Sequence, residues 1–134
     1  MKKIIVVVAF LLSVTGLANA QVAADFKFEK ETHDFGNILM TKPATVEFKY
    51  TNVGDVPLII TNVTAPCGCT VPQWTKTPVK KGETGIITVT YTPNPSQPLP
   101  FTKQVTITSN AKLSTKVLYI KGISVASLPV AIKD

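Results

Sequence analysis

The sequence contains no arginine: all 14 of its basic residues are lysine. Specific reading of phosphates and base edges leans on arginine's planar fork, so this absence argues against a nucleic-acid partner. Histidine is nearly absent too, with His33 alone. That rules out a histidine-built metal cluster and leaves one imidazole for any acid–base role. The only cysteines, Cys67 and Cys69, are too few for tetrahedral zinc and too close together to pin two sheets. Eight carboxylates are scattered along the chain without forming a pair suited to catalysis. No stretch shows helical periodicity. The longest apolar run, Ile4 to Leu17, is about 14 residues, short of the roughly 20 that span a bilayer.

That run reads as an export signal instead. Lys2 and Lys3 precede it, and Ala18-Asn19-Ala20 supplies the small-x-small pattern that signal peptidase accepts. Residues 1–20 are therefore expected to be removed, with a single domain over 21–134 in the periplasm or outside the cell. No cysteine sits near the cleavage site, which argues against a lipoprotein, and no stable membrane insertion is expected after cleavage. With Lys2 and Lys3 gone, 12 basic residues face 8 acidic ones. Scattered lysines suit solvated strand faces and guarded sheet edges.

The remaining chain alternates with period two between turn signals. Phe26 and Phe28 share a face. So do Val46, Phe48 and Tyr50, with Glu47 and Lys49 opposite, and Ile87, Val89 and Tyr91, with Thr88 and Thr90 opposite. Further strands begin at Leu58 and lie over Gln104–Thr108 and Lys116–Ile123. Asn52-Val53-Gly54-Asp55 and Lys81-Gly82-Glu83 have turn chemistry, and four prolines between Pro93 and Pro100 demand an extended loop or a change of sheet. The expectation is an all-β, immunoglobulin-like β-sandwich of about seven antiparallel strands, with Trp74 as a core plug.

Chemistry, if any, centres on Cys67-Gly68-Cys69-Thr70. In a regular strand, residues i and i+2 lie ~6.6 Å apart with parallel side chains, at the upper edge of disulfide range. A bridge needs a bend, and Gly68 permits one while Pro66 ends the preceding strand. Four readings compete. The pair is a local structural element, bridged or free. Alternatively it is a thiol–disulfide exchange site, although no helix N-terminus lowers a thiol pKa. It can also be a Cu(I) site with His33 or Met40 as helpers, or a cysteine nucleophile with His33 as base.

Other matches carry little. Asp34-Phe35-Gly36 spells a kinase metal-binding triplet, but no accompanying glycine-rich or catalytic loop exists. Asn62-Val63-Thr64 is a formal glycosylation sequon. Pro95-Ser96-Gln97-Pro98 fits PxxP, yet reads more simply as a loop beside a sheet edge.

Taken in order, Phe35-Gly36, Val46-x-Phe48-x-Tyr50-x-Asn52-x-Gly54-Asp55-x-Pro57-Leu58-x-Ile60 and Cys67-Gly68-Cys69-Thr70 resemble the domain-of-unknown-function 1573 family. Trp74, Gly82-Glu83 and Ile87-x-Val89-x-Tyr91 extend the likeness, which covers about Phe26 to Ile123. One departure is Lys81, where that family often has proline before the Gly-Glu turn. The resemblance implies a sandwich similar to major-sperm-protein and cilium-associated Ig-like modules, which bind other proteins and are not enzymes.

The resulting expectation is an exported, non-enzymatic binding module without a cofactor. Its partner is an unnamed protein or cell-surface polymer, with Pro66, Gly68, Thr70, Gly54 and Asp55 as candidate binding-loop residues. The alternative is an exported thiol–disulfide redox or copper-handling protein that uses Cys67 and Cys69.

Overall fold

Strict alternation sets the two central strands of the first sheet. From Val46 to Asn52 every second side chain is buried, and the buried Val89, Ile87 and Gly85 stand opposite Val46, Phe48 and Tyr50 across the ladder. The computed structural model describes residues 22–129; the expected signal, residues 1–20, lies outside the described residues. Eight strands run in chain order: β1 Phe26–Phe28, β2 Thr32–Leu39, β3 Ala44–Asn52, β4 Ile60–Thr64, β5 Thr70–Trp74, β6 Thr84–Tyr91, β7 Pro100–Ser109 and β8 Thr115–Val125. They form two four-stranded sheets, ordered β1-β3-β6-β5 and β2-β8-β7-β4. No helix is present among the described residues.

The architecture is the expected all-β sandwich, with two differences. There are eight strands, and β2 runs parallel to β8 while the other pairings are antiparallel. Both differences arise because the chain changes sheets soon after it enters the fold. β1 pairs with the end of β3, then residues 29–31 carry the chain across to β8 in the other sheet. The β2–β8 register shifts between Asp34 and Asn37, where Gly36 adopts φ 65° and the Asp34 carboxylate accepts from the Gly36 N–H at 2.8 Å. The kinase-like triplet is thus a turn inside a β-bulge.

Another change of sheet lies on the opposite flank. β4 pairs with β7, residues 65–69 cross over, and β5 pairs with β6. The proline-rich segment after Tyr91 makes the last one, from β6 in the first sheet to β7 in the second, one of the two outcomes its composition allows.

Between the sheets lies one continuous apolar core that includes Phe48, Tyr50, Leu58, Ile87, Val105, Ile107, Leu118 and Ile120. Tyr91 stacks on Phe101 across the sandwich, with ring centroids 4.0 Å apart and planes 22° from parallel. Burial pushes the hydroxyl pKa of both Tyr50 and Tyr91 upward. Trp74 is half-buried against this core, with the Lys76 ammonium 2.9 Å from its ring centre.

One end of the sandwich is organised by Asn52, which is fully buried. Its amide nitrogen donates to the carbonyls of Val56 and Val79, and its oxygen accepts from the N–H groups of Gly54 and Asp25. One side chain therefore holds the β3–β4 turn, the segment after β5 and the N-terminal segment together.

Candidate functional site

Cys67 and Cys69 are joined by a disulfide, with Cα atoms 5.3 Å apart. Of the open readings of this pair, the structure contains the bridged one. The bridge sits in the crossover that takes the chain from β4 to β5, where Thr70 N–H donates back to the Cys67 carbonyl at 3.3 Å. Thr92 N–H donates to the Cys69 carbonyl at 2.8 Å, which anchors the crossover to the first sheet. The Thr70 hydroxyl lies 4.0 Å from the Cys67 sulfur and 3.8 Å from that of Cys69.

The bend does not depend on a glycine-only conformation. Gly68 has no positive φ, and a Cβ built on it would meet nothing within 4 Å. Curvature comes instead from the bridge, the Cys67–Thr70 turn and Pro66.

His33 and Met40 do not approach the cysteines. His33 lies on β2, opposite Ile120, and Met40 follows the end of that strand. β8 and β7 stand between β2 and β4 in the sheet, so the proposed base and copper helpers sit on the opposite flank. A bridged pair also presents no thiolate to a soft metal or an electrophile. Burial and the Lys30 ammonium, which donates to Nδ1 at 2.7 Å, hold the His33 pKa down against the opposing pull of Asp34.

The candidate loop residues fall into two separate places. Thr70 stands opposite Tyr91, which stands opposite Ala44. Asn52 is eight residues further along β3, about 26 Å at the rise of a strand. Pro66, Gly68 and Thr70 therefore belong to one end region and Gly54 and Asp55 to the other. Thr70 and Gly54 are buried, so neither supplies contact surface. At Gly54 the reason is close packing: a Cβ would lie 2.5 Å from the Asp25 nitrogen and closer still to the Ala23 carbonyl oxygen. Pro66, Gly68 and Asp55 are exposed. Asp55 pairs with Lys81 at 2.9 Å, and that hydrogen bond, then the lysine's charge, pulls its pKa down.

The profile of the family described as "Protein of unknown function (DUF1573)" matches residues 26–124. This chain belongs to the DUF1573 family. Among solved structures it is similar to a protein of unknown function from Porphyromonas gingivalis, at 14% identity and TM-score 0.66, over 80% of this chain and 50% of that one. The chain thus spans half the length of that relative. It is also similar to the ASH / PapD-like domain of human CEP192, at 8% identity and TM-score 0.64, covering 87% of this chain and 99% of that one. A third likeness is to the secreted serine protease VesC from Vibrio cholerae, at 14% identity and TM-score 0.54, over 81% of this chain and 24% of that one. At these identities the likeness is one of fold. No curated protein matches the chain.

Sequence reasoning missed the state of the sheet edges in this DUF1573 domain. Ser109 N–H donates to Ser114 and Ser124 N–H to Leu99. Those two bonds fix the phase of the β7–β8 ladder: odd-numbered β7 residues face β8, and even-numbered ones face away. Thr106 and Thr108 meet β4, but β4 ends at Thr64. Among the described residues, the outward backbone groups of Thr102 and Gln104 therefore have no strand beside them. The same reasoning on β3, phased by Asn52 N–H to Glu83, leaves Thr45 and Glu47 facing outward beyond the short β1. Both half-edges are direct results of the two flank crossovers.

Proposed function

We propose that this DUF1573 protein is an exported, non-enzymatic binding module whose partner is a protein or cell-surface polymer. The observation that carries this reading is the unpaired backbone on an inner strand of each sheet, Thr102 and Gln104 on β7 and Thr45 and Glu47 on β3. Such edges accept an added strand, a recurring mode of recognition in β domains. The DUF1573 membership and the ASH / PapD-like fold support a module of this kind, and the sequence supports export.

Photo-crosslinking amino acids placed singly at Gln104, Glu47, Asp55 and Gln73 in the natively expressed protein test it. A discrete adduct of reproducible mass from one or two of these positions is the expected result. Equal, diffuse labelling at all four would overturn the binding reading. The rival, an exported redox or copper-handling protein, finds no neighbouring histidine base or helix N-terminus beside Cys67 and Cys69 among the described residues. With Pro66 retained to block extension of β4, replacing both cysteines with serine should leave the crosslinks in place; on the rival reading, exchange activity or copper uptake disappears instead.

A further inference from the structure

We infer that the open half-edge of β7, centred on Lys103, takes an extended acidic segment of another protein by strand addition, and that Pro66 with the Cys67–Cys69 bridge keeps that edge open. This rests on the binding-module reading and assigns its site and partner chemistry.

The first question is why β4 does not cover the edge itself. Its register with β7 places Thr64 opposite Thr106, so two further steps would set residue 66 against Gln104 and residue 68 against Thr102. Pro66 has no N–H to give the Gln104 carbonyl. The Cys67 carbonyl is already turned to Thr70, and the bridge holds its cysteines 5.3 Å apart, against ~6.6 Å for the same residues in a strand. The chain is curled away at the point where continuation would close the ladder.

Four of the other edges carry recognisable protection. β1 has only three residues. β2 carries a bulge and the charged Asp34. On β5, Thr92 N–H to Cys69 and Thr75 N–H to Ile86 set the phase, so Pro72 faces outward in mid-strand and offers no donor. The half-edge on β3 is flanked by exposed Glu47 and Lys49. On β7 the outward residues are Thr102 and Gln104, exposed and uncharged. Of the two, Thr102 also borders a recess of about 290 Å³ that runs over β8 towards β2, lined further by Pro100, Phe101, Gly122, Ile123 and Asp34.

Lys103 decides the partner. It belongs to the inward series Phe101, Val105 and Ile107, yet is only half-buried. None of the ion pairs among the described residues includes it. If a second copy of this chain paired antiparallel on Thr102 and Gln104, the two Lys103 side chains would stand directly opposite each other, in the closer, non-hydrogen-bonded type of pair. Like charges so placed are destabilising. An Asp or Glu at that position is the complementary choice. The fitting segment has one acidic residue bracketed by two non-proline residues, whose backbone groups pair with Thr102 and Gln104.

The probe is the blocked peptide Thr-Val-Thr-Glu-Val-Thr-Val, titrated into isotopically labelled protein and followed by amide shifts and hydrogen exchange. Thr102 and Gln104 amides should shift and gain protection. N-methylation of the two residues flanking the glutamate, or its replacement by lysine, should each weaken binding at least tenfold. Lys103→Glu should reverse the preference between the glutamate and lysine peptides. Equal affinity for parent and N-methylated peptides, shifts confined to β3, or a peptide-free dimer whose contacts map to β7 would each overturn the proposal. A Pro66→Ala, Cys67→Ser, Cys69→Ser variant should protect the Thr102 and Gln104 amides without peptide; unchanged exchange there would overturn the role of the crossover. Peptide failure with a discrete crosslink elsewhere removes this site alone, whereas diffuse crosslinking everywhere removes the binding reading as well.

Discussion

The Asn52 side-chain amide donates to the Val79 carbonyl at 2.9 Å, a contact that spans 27 positions of sequence inside the protein. With its three companion bonds it satisfies backbone groups from three separate segments that would otherwise be stranded near the core. Leaving buried donors and acceptors unpaired is more costly than the net value of the bonds themselves. Asn52→Ala should therefore cost about 3 kcal/mol in urea unfolding. Asn52→Asp should be at least as damaging, because its carboxylate would face the carbonyls of Val56 and Val79. A loss below about 1 kcal/mol for the alanine variant would show that water replaces these bonds.

Two glycines should respond in opposite ways to the same substitution. Gly54→Ala drives a methyl into the backbone of residues 23–25, which cannot move without breaking the Asp55–Ala23 and Val53–Asp25 hydrogen bonds. A loss of about 2 kcal/mol or more is expected, together with easier proteolysis of the N-terminal segment. Gly68→Ala faces open space and should change stability by less than about 0.5 kcal/mol. Denaturant midpoints of the two variants, compared side by side, make the check.

The disulfide closes too small a loop to hold the fold together. For three residues the chain-entropy estimate is about 1.6 kcal/mol. Replacing both cysteines with serine should lower stability by no more than about that amount and leave the two-sheet fold intact by circular dichroism. Failure of the double variant to fold would mean that the crossover is needed for more than closing a loop.

Acid should weaken the domain through His33. Its folded-state pKa lies below the ordinary 6.5, because burial and Lys30 disfavour the imidazolium. The unfolded chain then takes up the proton more readily than the folded one. The stability contribution is present above about 6.5 and is lost as pH falls through the folded value. His33→Gln should flatten the melting-temperature profile between about pH 7.5 and 5. As the chain has one histidine, its imidazole proton resonance titrates without overlap; a midpoint above 6.5 would reverse the sign.

Much of the sandwich was legible because its central strands obey period two. Val46, Phe48 and Tyr50 on β3 and Ile87, Val89 and Tyr91 on β6 needed nothing beyond alternation. β2 was not legible, since Gly36 at positive φ inserts a bulge that breaks the period, and a parallel pairing has no local signature. Pro72 hid β5, because a proline argues against a strand until the ladder's phase shows that its missing N–H points outward. Asn52 read as a turn residue; its four bonds depend on segments brought together only by folding. At the candidate site the cysteines were conspicuous, whereas the edge beside them is a property of where β4 stops. No residue on β7 announces it.

The alternation of sheets along the chain has a further consequence for how the protein comes into being. The first half supplies β1 and β3 to one sheet and β2 and β4 to the other; the second half supplies β5 and β6, then β7 and β8. Neither half contains a complete sheet, and the ladders β3–β6, β2–β8 and β4–β7 all join one half to the other. A growing chain can therefore complete the first sheet only once β6, ending at Tyr91, has emerged, and the second only once β8, ending at Val125, has followed. Until Tyr91 is out, neither sheet can have all four of its strands.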